Sequence, residues 1–223
     1  KTRERNIDTA IAGIESLPPA CWARVAVGKP LQVTPYWDLA AKFRDKRAFA
    51  TIDDAAQELA ALIDDAVKIR LISDVPLGAF LSGGVDSSLI AAMMRAGSSS
   101  PVRTFTIGFE EWGYDEAPYA SAVAKHLGTE HTEFYVGSGD ARSVIPQLAD
   151  LYDEPFADSS QIPTHLVARL ARAHVTVSLS GDGGDELFGG YNRYVSAARA
   201  WEKGQAYPEW VRSIMATCLV SLT

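Results

Sequence analysis

The chain has 223 residues, 47% of them hydrophobic and 22% charged, a balance that excludes an intrinsically disordered chain and allows one sizeable core with at most part of a second domain. Its net charge of −7 and pI near 5.1 exclude nucleic acid as the main partner, because an acidic surface gains little from counterion release. No stretch reaches the ~18 unbroken apolar residues that a membrane-spanning helix needs, and the charged residues 1–8 do not read as a secretory signal.

Two distant cysteines, Cys21 and Cys218, make neither a metal-ligand pair nor a disulfide framework, which points to a reducing compartment, the cytoplasm. Residues 1–35 contain Leu17-Pro18-Pro19 and a short hairpin but no strand–helix rhythm. Residues 52–71 predict an amphipathic helix: Thr51 caps it, Asp53 and Asp54 suit its positive end, and Leu59, Leu62, Ala66 and Ile69 recur at helical spacing. Ser73-Asp74-Val75-Pro76 breaks it, and an apolar strand over 77–81 follows. A helix over 87–95 offers Leu89, Ile90, Met93 and Met94 for burial. Next come a strand over 102–109 and a helix over 116–127, entered through Asp115 and closed by Gly128. A strand over 132–136, helices over 141–151 and 163–173, and a strand over 175–179 complete the series. Alternation of this kind implies βαβ units and an α/β fold, a mostly parallel sheet with helices on both faces. From residue 211 onward, Val211, Ile214, Met215, Cys218, Leu219 and Leu222 line one helical face with nothing left in the chain to pack on. The 223 residues are therefore expected to be an excerpt of a longer protein.

Two loops carry chemistry. In Leu81-Ser82-Gly83-Gly84-Val85-Asp86-Ser87 a strand end delivers Ser82, two glycines let the backbone approach a ligand, and a helix begins near Asp86 or Ser87. Amides at such a helix start cradle phosphate oxygens, with Ser82 and Ser87 adding hydroxyls. Asp86 would repel bare phosphate, so it suits a magnesium ion bridging phosphates. The loop matches neither the Walker A nor the dinucleotide pattern, and a plain strand-to-helix turn is its bland reading. The second loop, Ser180-Gly181-Asp182-Gly183-Gly184-Asp185-Glu186, sets three carboxylates among three glycines without the spacing of an EF-hand. Ligands of open parallel sheets bind beyond the carboxyl ends of the strands, so both loops should face one site, with Asp86 and Asp185 as the magnesium pair.

These residues carry a resemblance. Ser82-Gly83-Gly84-Val85-Asp86-Ser87 resembles the loop of the ATP-pyrophosphatase superfamily, with its adenine nucleotide α-hydrolase-like fold. The second loop, continuing through Leu187-Phe188-Gly189-Gly190-Tyr191, is similar to that of the glutamine-hydrolysing asparagine synthetases. Asp153-Glu154-Pro155-Phe156-Ala157-Asp158 and Thr104-Phe105-Thr106-Ile107-Gly108-Phe109 resemble that family too. So does Leu17-Pro18-Pro19 with Pro35-Tyr36-Trp37, which is similar to the seam between its glutaminase and synthetase domains. The resemblance implies that residues 1–35 are the end of a glutaminase domain and 36–223 a synthetase domain.

It further implies ATP and Mg2+ at the site, with aspartate and glutamine-derived ammonia as the other substrates. The expected reaction makes asparagine through β-aspartyl-AMP and releases AMP and pyrophosphate. Leu81, Ile107 and Gly181 fall where the family holds adenosine by apolar and backbone contacts, although plain strand burial accounts equally for Leu81 and Ile107. Ser82, Gly83, Gly84, Ser87 and Ser180 complete the nucleotide-binding set. Asp182 stands where some relatives carry a glutamate that guides the amine, and its shorter side chain reaches less far. Tyr191 matches a tyrosine near the intermediate, or is simply packed. Asp158, Ser159 and Ser160 either line the aspartate pocket or cap a helix. His126, His131, His165 and His174 form no ligand spacing and receive no role.

Expected partners are the small-molecule substrates, a glutaminase domain in the same full-length chain and, in the assembled state, a second copy forming a homodimer; membrane and nucleic acid are not expected. The family's glutaminase nucleophile, an N-terminal cysteine, and a lysine of its later helical region have no counterpart, so this fragment is expected to release no ammonia from glutamine and to ligate poorly. Two alternatives stay open: a related amide-forming synthetase of the β-lactam or peptide-macrolactam kind, and a nucleotide-binding module without turnover.

Overall fold

The computed structural model describes residues 9–109, 115–155, 158–209 and 211–213. Near the start, β1 (Cys21–Arg24) and β2 (Gln32–Pro35) pair antiparallel with Cys21 opposite Pro35, forming the expected hairpin. A six-residue helix, α1 (Leu39–Arg44), begins where the Asp38 carboxylate accepts a hydrogen bond from the Ala40 amide at 2.8 Å. Next, α2 (Ile52–Leu71) starts on a reciprocal capping box. The Asp54 amide donates to the Thr51 hydroxyl at 3.1 Å, and the Thr51 amide donates to the Asp54 carboxylate at 3.1 Å. The helix has the predicted bounds, but its inward face differs from the expected one. Val67 is buried, and Ile63 and Leu71 are half-buried beside it at four-residue spacing, whereas Leu59, Leu62, Ala66 and Ile69 stay exposed.

The βα series then runs β3 (Leu77–Phe80), α3 (Val85–Gly97), β4 (Arg103–Phe109), α4 (Ala117–Leu127) and β5 (Glu130–Val136). Gly128, left-handed at φ 66°, closes α4, and its amide donates to the Ala124 carbonyl. The helix expected over 141–151 is divided into α5 (Ser138–Val144), a 3-10 turn over Ile145–Gln147 and α6 (Leu148–Leu151). Pro146 is the reason, because it has no N–H to continue the helical ladder and its ring crowds the preceding turn. The series ends with α7 (Gln161–Arg172), β6 (Val177–Leu179), the five-residue α8 (Gly184–Phe188) and α9 (Asn192–Gln205). The second glycine loop thus turns helical at Gly184, and α1, α8 and α9 were not anticipated. The apolar face predicted from Val211 onward lies outside the described residues beyond Ser213.

Two compact units share the chain. Of the described residues, one gathers those up to Ile72 with those within 107–115 and 134–170; the other takes Ser73–Thr106, Glu116–Glu133 and those from Ala171. In the first unit Val136, Val144 and Leu166 form a buried cluster, joined by Ile107, Phe109, Leu148 and Ile162. In the second, Leu81, Ala91, Ala120 and Ala124 pack the end of β3 against α3 and α4, with Val123 and Leu127 beside them. The small residues at 91, 120 and 124 let the two helices approach closely.

The main sheet has the order β5-β4-β3-β6. Strand β3 pairs parallel with β4, Gly78 opposite Arg103, and parallel with β6, Ala79 opposite Leu179. The fold is therefore α/β with a mostly parallel sheet, as the alternation predicted. From β3 the chain steps outward to β4 and β5, then returns to place β6 on the other side of β3.

Candidate active site

An open parallel sheet forms a crevice where its strand order reverses, because the loops on either side leave in opposite directions. Here that point lies between β3 and β6, neighbours in register and both within the second unit. The loop leaving β3 is the one that begins at Leu81, and the loop leaving β6 begins at Ser180. Both sequence motifs therefore emerge side by side at the carboxyl edge of adjacent strands.

The first loop is held by its own polar groups. The Ser82 and Ser87 hydroxyls hydrogen-bond at 2.9 Å, and the Ser82 amide donates to the Ser87 hydroxyl at 3.2 Å. The Gly84 amide donates to the Ser82 hydroxyl at 3.3 Å, and the Ser87 hydroxyl also lies 3.3 Å from the Gly84 carbonyl. Gly83 is left-handed at φ 80°, and a Cβ there would sit 2.6 Å from the Tyr119 and Ala120 backbone at the start of α4. Gly84 caps α3 without a side-chain hydrogen bond, so the first-turn amides of that helix are not claimed by a cap.

The second loop comes up against the first at glycine positions. A Cβ on Gly181 would lie 2.7 Å from the Ser87 amide nitrogen and 2.9 Å from the Asp86 carbonyl carbon. One on Gly184 would lie 2.5 Å from the Asp86 carboxylate, so that carboxylate rests on the residue just before Asp185. Ser180 turns inward on its own loop, its hydroxyl donating to the Asp182 carboxylate at 3.0 Å. Asp182 is exposed.

Asp86 and Asp185 are half-buried, and neither carboxylate has a hydrogen bond or ion pair among the described residues. No group of three His, Cys, Asp or Glu side chains could hold a metal among those residues. Two oxygen-only ligands with unspent lone pairs fit magnesium, which takes one or two carboxylates and completes its shell from phosphate and water. The residues present therefore fit the expected cation.

Leu81 is 1% exposed and its side chain belongs to the second unit's core, so it offers a ligand main chain rather than side chain; its amide donates to the Phe105 carbonyl at 2.9 Å. Ile107 is partly buried against the first unit's cluster. Asp158 accepts from the Ser160 amide at 2.8 Å, a local turn ahead of α7, and this bond holds its carboxyl below the usual carboxylate range. His131 is built into the sheet: its Nδ1 pairs with the Thr104 hydroxyl at 2.8 Å, and burial pushes its pKa down against the opposing pull of Glu133.

Tyr191, expected either near the intermediate or simply packed, belongs to a cluster. Its hydroxyl donates to the Glu186 carboxylate at 2.6 Å, and the Arg193 guanidinium lies 4.0 Å from its ring centroid. That hydrogen bond raises the phenol and lowers the Glu186 carboxyl. Arg193 and the pairing of Glu186 with Tyr191 were not foreseen; a cation two residues beyond an aromatic is too common a spacing to signal a contact.

The chain resembles known proteins. The family model for asparagine synthase matches residues 58–221. A protein of Methanocaldococcus jannaschii provisionally named glutamine-hydrolysing asparagine synthetase 2 is 45% identical over 165 residues, 74% of this chain and 31% of that protein. The glutamine-hydrolysing asparagine synthetase 1 of Bacillus subtilis is 38% identical over 175 residues, 77% of this chain and 28% of its own. The chain thus spans about three tenths of the length of these curated relatives. Among solved structures, the ammonia-dependent NAD synthetase of Campylobacter jejuni aligns over 61% of this chain and 60% of its own at 16% identity and a TM-score of 0.43, too remote a likeness to bear on function.

Proposed function

The chain belongs to the asparagine synthase family, and from that premise we propose that it is the ATP-binding part of a ligase that makes asparagine from aspartate and glutamine-derived ammonia. The supporting observation is the meeting of the two glycine loops at the β3–β6 crevice, where Gly181 and Gly184 leave no room between the second loop and Asp86.

In the proposed first step an oxygen of the aspartate β-carboxylate attacks the α-phosphorus of ATP, and the bond to the bridging oxygen breaks to release pyrophosphate. The first-turn amides of α3 and the hydroxyls of Ser82 and Ser87 would hold the leaving pyrophosphate. Asp86 and Asp185 would hold magnesium, which when bound neutralises charge on the phosphates. The β-aspartyl-AMP formed keeps its acyl carbon open to ammonia; nitrogen adds, AMP departs, and the nitrogen loses a proton to leave the amide. Asp182 is the proposed guide for the amine, held by Ser180, and Tyr191 the proposed contact to the intermediate. Gly181 and the Leu81 main chain would meet the adenosine. Chemistry of this kind relies on placement and charge rather than on a protein nucleophile.

The reading also places ammonia supply in a glutaminase domain of the full-length protein, residues 1–35 forming its end, and locates the protein in the cytoplasm. Supplying the full-length protein with ATP, magnesium, ammonia and aspartate should yield asparagine, AMP and pyrophosphate in equal amounts. Release of AMP with another carboxylate and not with aspartate overturns the substrate, and nucleotide binding without any AMP release overturns the reaction.

A further inference from the structure

We propose that Arg193 is a positioning residue: by lying on the face of the Tyr191 ring it fixes the phenol against Glu186, at the Asp185 end of the second loop. The proposal rests on the function just given for that site. Tyr191 caps α9, and Arg193 and Tyr194 follow in its first turn. Three contacts hold the tyrosine. The hydroxyl is tied to Glu186 at 2.6 Å, the Tyr194 ring meets it at 62° with centroids 5.6 Å apart, and the guanidinium covers a face at 4.0 Å.

Arg193 makes no ion pair with a carboxylate among the described residues, so its charge is directed at the two rings, 4.0 Å from Tyr191 and 5.8 Å from Tyr194. A flat cation stacked on an aromatic face restrains ring rotation in a way that one hydrogen bond at the rim does not. The same stretch borders the proposed metal carboxylate. The Gly190 amide donates to the Asp185 carbonyl at 3.1 Å, and a Cβ on Gly190 would collide with the Asp185 side chain. Gly190, the residue before Tyr191, therefore abuts Asp185.

The test uses the full-length protein labelled with 3-fluorotyrosine, the Tyr191 fluorine resonance being identified by its loss in Tyr191→Phe. Arg193→Leu should shift and broaden that resonance. It should also lower kcat for AMP release about ten-fold while changing the KM for ATP less than about two-fold, the pattern of a lost transition-state restraint. Arg193→Lys, which keeps a cation over the ring, should recover most of both. In a Tyr191→Leu background, Arg193→Leu should add nothing further, because the two residues act as a unit. An unchanged resonance in Arg193→Leu overturns the proposal, and so does an unchanged kcat or an effect that persists in the Tyr191→Leu background. If the protein releases no AMP with any carboxylate, the functional reading falls, and the fluorine resonance alone decides whether Arg193 holds the ring.

Discussion

One methyl group separates the two glycine loops from a collision. At Gly181 the added carbon would meet main chain of Asp86 and Ser87, which cannot rotate away as a side chain can. Gly181→Ala is expected to push the loops apart by a fraction of an ångström to an ångström and to lower ATP-dependent AMP release about 100-fold, with the fold retained by circular dichroism. Asp185→Asn preserves size and removes charge. It should raise the magnesium concentration needed for half-maximal AMP release while leaving thermal unfolding within a few degrees of the parent, and a loss of folding in place of a metal shift would contradict the assigned role. His131 makes a pH prediction. Its pKa is lower in the fold than the ordinary 6.5, so the unfolded chain binds the extra proton first and stability rises with pH across that window. Urea unfolding should therefore show stability present above about pH 6.5 and falling on acidification through the lowered folded value, and His131→Gln should flatten that slope. What could be read from sequence at this scale was the kind of residue each loop needs. What could not be read were contacts such as Arg193 on Tyr191, which depend on how α9 starts.

At the scale of elements, legibility tracked the strength of local signals. The bounds of α2 were readable because Thr51 and Asp54 cap each other reciprocally, a device set by four residues in sequence. Its inward face was not, because the choice between the Leu59–Leu62–Ala66–Ile69 stripe and the Ile63–Val67–Leu71 stripe is made by packing partners. Thr51→Ala should cost about 1 kcal/mol in denaturant unfolding, and Thr51→Ser should restore most of it, since the hydroxyl rather than the methyl makes the cap. The break at Pro146 was available in the sequence and was overridden by the apolar pattern around it, a case where a missing donor outweighs periodicity. Helix α9 has no buried residue, so no apolar stripe announced it.

At the scale of the molecule, the alternation of strands and helices was sufficient for an α/β fold, because parallel strands require crossovers of that length. Strand order was not available from it, yet strand order is what brings the two loops of the candidate site together: β6 could have joined the sheet beside β5 and left them apart. A non-hydrolysable ATP analogue with magnesium should slow amide exchange in 81–87 and 180–186 together, leaving the 3-10 turn over Ile145–Gln147 unchanged. Protection confined to one loop would mean that the crevice is not a shared site.

The pairing of β3 with β6 also sets an order in time. Gly78 leaves the ribosome ~100 residues before Ser178, its partner across the ladder, which at about 5–20 residues per second is a wait of ~5–20 s. Throughout that interval the first loop exists without its counterpart, and a nascent chain has only half of the proposed nucleotide site. If the proposed site is right, nucleotide would begin to stabilise the growing polypeptide only once the second loop has emerged.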